Sequence, residues 1–250
     1  MKLGLFAAAL LAALSSGSAV AADGKRPKAV VELFTSQGCN SCPPADVMLG
    51  QLAAKDDVIA LAYHVDYWDY LGWKDTLASP DNTARQQEYA RALGNRSVYT
   101  PQAIVNGQVH MNGAKHAKVD AAVERMAGTR SGLTVDVDVA YKGGSVIITT
   151  GKASMPVTDA HVVLVYFHPA TKVEIARGEN KGRQFTFRNA VAGFHTAGMW
   201  HGAPTRYELP MSEIAKRGVG GCAVLIQERT AGGLPGAILG AAVIQTAAGL

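Results

Sequence analysis

The sequence predicts an α/β unit followed by a mainly-β, sandwich-like unit, and three observations carry that expectation. Between residues 28 and 127, short apolar runs alternate with runs whose apolar residues fall at helical spacing, the pattern of strands and helices packed in layers. A polar, glycine-bounded break follows at Gly128–Gly132. From 132 to 250 the chain consists of short strand-like runs separated by turn residues, the texture of a sheet-rich unit. The 250 residues are 48% hydrophobic and 18% charged, with a formal net charge of +4. Such a chain buries a core, and the composition excludes a disordered or low-complexity protein.

The first segment, Met1–Ala22, reads as a leader. Lys2 precedes the apolar run Leu3–Leu14, and small residues end at Ala19-Val20-Ala21, the three parts of a secretory signal peptide. The apolar run is shorter than the roughly 20 residues a spanning helix needs. The expectation is cleavage after Ala21 or Ala22, a periplasmic or secreted protein, and no stable membrane insertion afterwards. Basic residues cluster only at Lys25-Arg26-Pro27-Lys28. Nucleic-acid binding wants a clustered stripe, so no nucleic-acid partner is expected.

The mature chain opens with Ala29–Phe34, an apolar run ended by Thr35-Ser36-Gln37-Gly38, which reads as a buried strand and a turn. Asp46–Ala54 carries Val47, Met48, Leu49 and Leu52 at helical spacing, and Val58–Val65 is a second buried strand. Pro80–Leu93, closed by Gly94, reads as a helix. Gln102–Val105 and Gln108–Met111 flank Asn106-Gly107, the strongest short-range hairpin signal. Ala114–Met126 closes the unit with Val119, Ala122, Val123 and Met126 on one helix face. The order β-α-β-α-β-β-α is that of a thioredoxin-like unit.

In the second unit, Leu133–Val139 alternates strictly, and Lys142-Gly143-Gly144 turns it into Ser145–Thr150. Further strands are expected at His161–Phe167, Lys172–Ala176, Gln184–Phe187, Cys222–Glu228 and Ala237–Ile244. Glu179–Arg183 reads as a charged turn, and His195, Trp200 and His201 as part of a glycine-rich loop. Cys222, in the apolar run Gly221–Gln227, is expected to be buried and inert.

The chemistry-bearing segment is Cys39-Asn40-Ser41-Cys42, placed where a strand hands over to a helix. That spacing puts both sulfurs on one face of a turn, close enough for a disulfide to form or open. A helix N-terminus favours a thiolate, so Cys39 is expected to be the exposed nucleophile and Cys42 the resolving residue. The strand–turn–helix context is the one in which C-x-x-C reads as a redox motif. Glu32 interrupts an apolar strand and is a candidate base for Cys42; a side chain facing solvent or salt-bridged on an edge strand is the alternative. Thr100-Pro101 enters the hairpin, where thioredoxin folds place a cis-proline facing the disulfide. Tyr67, Trp68 and Trp73 lie in the most aromatic stretch, 63–75, and with Thr100 form a candidate substrate wall; packing against the second unit is the alternative.

The motifs VELFTSQGCNSCPPAD (31–46), AYHVDYWDYLGWKD (62–75), ARQQEYARALG (84–94), SVYTPQ (97–102), GENKGR (178–183), CAVLIQE (222–228) and GAILGAA (236–242) resemble a bacterial family of secreted thioredoxin-like proteins catalogued as a domain of unknown function. The resemblance covers nearly all of the mature chain. It implies a thioredoxin-like first domain, an attached β-rich domain and export. Cys39 and Cys42 match the redox pair of the wider superfamily, and Pro101 its cis-proline.

The function expected is therefore an exported thiol–disulfide oxidoreductase, without cofactor or metal, acting on another exported protein that carries thiols or a disulfide. Two rivals stand beside it. One is a Cu(I)-handling protein using Cys39 and Cys42 with a histidine such as His64, since soft thiolates select such ions. The other is a non-catalytic binding module in which the disulfide is only a staple.

Overall fold

The computed structural model describes residues 20–21, 26–157 and 159–245. Of the expected leader, only Val20–Ala21 falls within them, as strand β1, paired antiparallel with residues 140–141. No helix among the described residues is long and apolar enough to cross a membrane.

The first half runs β2 (Ala29–Thr35), α1 (Pro43–Ala53), β3 (Val58–His64), α2 (Pro80–Ala92), β4 (Gln102–Val105), β5 (Val109–Asn112) and α3 (His116–Met126). Pro43 and Pro44 stand in the first turn of α1, where a missing N–H costs nothing, so the helix begins directly after Cys42, as these two prolines lead one to expect, and runs into the helically spaced segment from Asp46. Strands β2 and β3 pair in parallel, β2 and β4 antiparallel, and β4 and β5 as a hairpin. The parallel pair needs a crossover, which α1 supplies. Asn106 and Gly107 both take positive φ, 48° and 67°, the geometry of the tight turn that matches strand twist. The Asn106 side chain also accepts from Val30 N at 2.8 Å, tying the hairpin to the middle of the sheet.

The second half runs β6 (Val137–Lys142), β7 (Ser145–Thr150), β8 (Ala160–Glu174), β9 (Gln184–Trp200), β10 (Thr205–Pro210), α4 (Met211–Ala215), β11 (Gly221–Arg229) and β12 (Pro235–Gln245). A four-stranded sheet has the order β1-β6-β7-β10, and an eight-stranded sheet the order β12-β11-β8-β9-β3-β2-β4-β5. The fold is thus mixed α/β with one large, mostly β sheet. The expected strands at 161–167 and 172–176 are one strand, and the run expected to end at Phe187 continues to Trp200. His195 and Trp200 therefore lie on β9, not in a loop, and His201 follows its end. The glycines that suggested a loop sit beside β-bulges: Gly198 pairs with Val162 and Gly193 with Tyr166, where the register slips.

Alternation along β2 sets what lies on each face. Val31 and Leu33 pack with Met48 and Leu49 of α1 and Val119 of α3. Val30 and Phe34 point the other way, into a core shared with Leu61, Tyr89, Val165 and Leu225. That core draws on the chain both before and after the break at 128–132, which falls between α3 and β6. A third core lies between the small sheet and the β8–β11 part of the large one, around Val146, Leu164, Trp200 and Val224.

Glu32 faces the shared core and is fully buried. Arg85 of α2 donates to one carboxylate oxygen through Nε at 2.8 Å and Nη2 at 2.7 Å, and the Tyr89 hydroxyl donates to the other. Arg85 also donates to Gln227 of β11 at 3.0 Å, and Gln227 Nε2 donates to the Tyr89 hydroxyl at 2.7 Å. The guanidinium lies 5.0–5.4 Å from the ring centroids of Tyr63, Tyr89 and Phe194. The expectation that Glu32 is a base for Cys42 is corrected by this placement: strand alternation turns its carboxylate to the α2 face, whereas α1, which Cys42 leads, packs on the other. Removing one member of a buried ion pair strands the other charge. Arg85→Met is expected to lower stability by about 3–5 kcal/mol in urea unfolding; a loss no larger than that of an exposed-site control would contradict the assignment.

Candidate functional site

Cys39 and Cys42 form a disulfide with Cα atoms 5.4 Å apart. Backbone bonds build the loop: Cys39 N donates to Ser36 O at 3.1 Å and Cys42 N to Cys39 O at 3.2 Å. The residue leading α1 is Cys42 itself. Ala45 N and Asp46 N both donate to Cys42 O, while Pro43 and Pro44 have no N–H to give. The helix start thus offers no free backbone donor to a thiolate, unlike an ordinary N-terminus. A side chain supplies one instead. Thr100 Oγ1 donates to Cys39 Sγ at 3.2 Å, and Ser41 Oγ lies 3.5 Å from the same sulfur.

The sulfurs are covered. Cys39 is 1% exposed and Cys42 0%, which corrects the expectation of an exposed Cys39, although Asn40 and Ser41 between them face solvent. Thr100 belongs to a cis Thr100–Pro101 peptide, as expected, and Pro101 is buried. Trp68 Nε1 donates to Thr100 Oγ1 at 2.8 Å, so this aromatic residue reaches the site directly. Trp73 reaches it through Gln37, whose Oε1 accepts from Trp73 Nε1 at 2.8 Å. The Tyr67 hydroxyl turns to Gln86 of α2 at 3.1 Å.

Joined to the cysteine loop through Gln37 is a polar cluster that sequence reading did not assemble. Thr35 at the end of β2 and His64 at the end of β3 are register partners and share the α1 face. Thr35 Oγ1 donates to Asp46 Oδ1 at 2.7 Å. His64 Nδ1 meets Asp75 Oδ2 at 2.8 Å, and that carboxylate also accepts from Gln37 N and Leu77 N. His64 Nε2 is buried without a hydrogen-bond partner among the described residues. Burial pushes the Asp46 carboxyl up to about 7, against the pull of His64 and Thr35. Burial pushes His64 down, but Asp75 and Asp46 outweigh it and hold the imidazole above its ordinary value. Burial lifts Asp75, and His64 with the backbone donors more than reverses that, leaving it low. Asp46 had a sequence signal, being one helical turn after Cys42.

Among the described residues, no group of three or more His, Cys, Asp or Glu side chains is placed to hold a metal ion. His64, named above as a possible copper ligand, turns Nδ1 to Asp75. Cys222 is buried on β11 with its thiol pushed up to about 12, chiefly by burial.

The Asp46 carboxyl has a linkage consequence. A carboxyl raised from 3.8 to about 7 binds a proton in the folded state that the unfolded state releases. Its contribution is therefore favourable at low pH and is lost as pH rises through that window. Relative to Asp46→Asn, the native protein is expected to lose stability between pH 4 and pH 7 in parallel denaturant titrations; a pH-independent difference would contradict the placement of Asp46.

Two solved structures compare with this architecture. The crystal structure of protein AGR_C_4864 from Agrobacterium tumefaciens is 44% identical, with a TM-score of 0.80 over 88% of this chain and 95% of its own. HBP35 of Porphyromonas gingivalis is 11% identical, with a TM-score of 0.58 over 88% of this chain and 75% of its own, a likeness of fold alone. No curated protein matches the chain. The family model described as "Protein of unknown function (DUF1223)" matches residues 30–227, and over that span, which includes every site residue above, the chain is a member of the DUF1223 family.

Proposed function

We propose that the chain is an exported thiol–disulfide oxidoreductase with a thioredoxin-like first half, exchanging Cys39 and Cys42 with the thiols or disulfide of another exported protein. The observation that carries the reading is the Thr100 hydroxyl donating to Cys39 Sγ at 3.2 Å. A donor aimed at that one sulfur is what a Cys39 thiolate needs once the disulfide opens. The order β2-α1-β3-α2-β4-β5-α3 and its strand pairing support the thioredoxin-like part. Export rests on the leader read in Met1–Ala22.

In the dithiol form the Cys39 thiolate attacks a partner disulfide. A Cys39–partner S–S bond forms, the partner's own S–S bond breaks, and the departing sulfur leaves with the electron pair and takes up a proton. Cys42 then gives its proton to Asp46 and attacks Cys39 Sγ. The Cys39–Cys42 bond forms, the mixed disulfide breaks, and the second partner sulfur takes the proton back from Asp46. Two electrons pass from the dithiol to the partner, and the same steps reversed oxidise a partner dithiol. Asp46 suits the transfer because it lies one turn beyond Cys42, with a carboxyl that titrates near neutrality.

The burial of both sulfurs favours one rival, the structural staple. The two readings separate cleanly. As a staple across so short a loop, the disulfide contributes ~2 kcal/mol, and its loss changes stability only. As a redox centre, Cys42→Ser strands the intermediate. Expressed in an exporting cell, Cys42→Ser is expected to carry mixed disulfides through Cys39 on a non-reducing gel, and Cys39→Ser none. A folded Cys42→Ser protein free of adducts would leave the staple as the answer.

A further inference from the structure

A side chain of the second half reaches the backbone of the cysteine loop. Asn180 stands in the turn between β8 and β9, 141 residues from Cys39 in sequence, and is 1% exposed. Its Nδ2 donates to Gln37 O at 2.9 Å and to Cys39 O at 3.1 Å. Its Oδ1 accepts from Arg183 Nη1 at 2.8 Å, which fixes the amide with its donors toward the cysteine loop. The turn is held by its own backbone: Ile175 N donates to Arg183 O, Gly182 N to Ile175 O and Arg183 N to Asn180 O. It also lies against the aromatic loop, since a Cβ on Gly178, at φ +75°, would come within 3.2 Å of Trp73 Cβ. Cys39 O is therefore bonded from two sides, by Cys42 N within the loop and by Asn180 from outside it.

We propose that Asn180 is a positioning residue for the redox centre: through the carbonyls of Gln37 and Cys39 it clasps the cysteine loop in its covered arrangement, and this clasp limits how readily a thiol reaches Cys39 Sγ. The inference builds on the exchange reading, giving the β-rich half a role in it. Asn180 touches neither sulfur, so its effect passes through the Cys39 backbone. A thiol attacking Cys39 must first displace the cover. Two hydrogen bonds to a buried loop hold that opening back by about tenfold or more.

The test uses the full chain in its disulfide form, with reduced glutathione as the attacking thiol and the reduced cysteines alkylated and located by mass. Asn180→Ala is expected to speed reduction of Cys39–Cys42 by about tenfold. Arg183→Ala, which frees the amide but leaves its donors in place, is expected to give a smaller increase in the same direction, and it carries the test if Asn180→Ala does not fold. Cys222, remote on β11, reports global opening in the same samples. Faster reduction with unchanged alkylation of Cys222 supports the clasp. An unchanged reduction rate overturns it, and so does a rise matched by Cys222, which would mean general loosening. Because glutathione replaces the natural partner, a failed clasp is distinguishable from a failed exchange function, which the Cys42→Ser adducts report separately.

Discussion

A carboxylate stands in the middle of strand β2, fully buried from solvent, and the packing on that side of the sheet answers its charge. Glu32 is tolerated because Arg85, Tyr89 and Gln227 surround it with donors and rings. Arg85 and Tyr89 come from α2 and Gln227 from β11, so satisfying one charge fixes a helix of the first half against a strand of the second. A hydrophobic interface of the same size would hold the halves together, but it would leave their register freer. Whether buried ion pairs serve stability or specificity depends on the protein. Here the bonds join three elements distant in sequence, which favours specificity.

That register matters because the other face of the same strand leads to the chemistry. From Glu32 the chain continues through Leu33 and Thr35 to the cysteine loop, and β3 delivers His64 beside it. The loop is then held from three directions: by Thr100 above the sulfur, by Asp75 and Trp73 on Gln37, and by Asn180 on the backbone. A reactive sulfur beside a helix start ordinarily draws on the helix's free N–H groups. With two prolines in that position, the donor at Cys39 Sγ is the Thr100 hydroxyl instead, and both sulfurs are buried.

Much of the fold was legible in the sequence because local patterns dictate it. Periodicity located the strands and helices of the first half to within a few residues, and Asn106-Gly107 marked its hairpin. The second half was read less well, since glycines at bulges imitate loop residues and β8 and β9 run longer than their apolar segments. At the site, spacing alone gave the disulfide, and the fold assignment gave the Thr100–Pro101 geometry. The burial of Cys39 was not legible, because the residues that reach its loop, among them Trp68, Thr100 and Asn180, are distant in sequence. Glu32 was singled out as an anomalous charge, but its partner, Arg85, lies 53 residues away and carried no local signal. Asn180 had no local signal at all: a polar residue in a charged turn looks solvated until the chain on the far side of the molecule meets it.

The central claim is that this covered disulfide is a reversible couple and not a fixture of the fold. An equilibrium titration of the native protein against glutathione buffers, with the thiol state read by alkylation and the fold by circular dichroism, tests it most directly. The account predicts a single two-electron transition at a potential between about −270 and −120 mV, the span of working dithiol enzymes, with secondary structure retained in the dithiol form. A disulfide that resists reduction to below about −300 mV, as structural bridges do, or one whose reduction unfolds the chain, would contradict it.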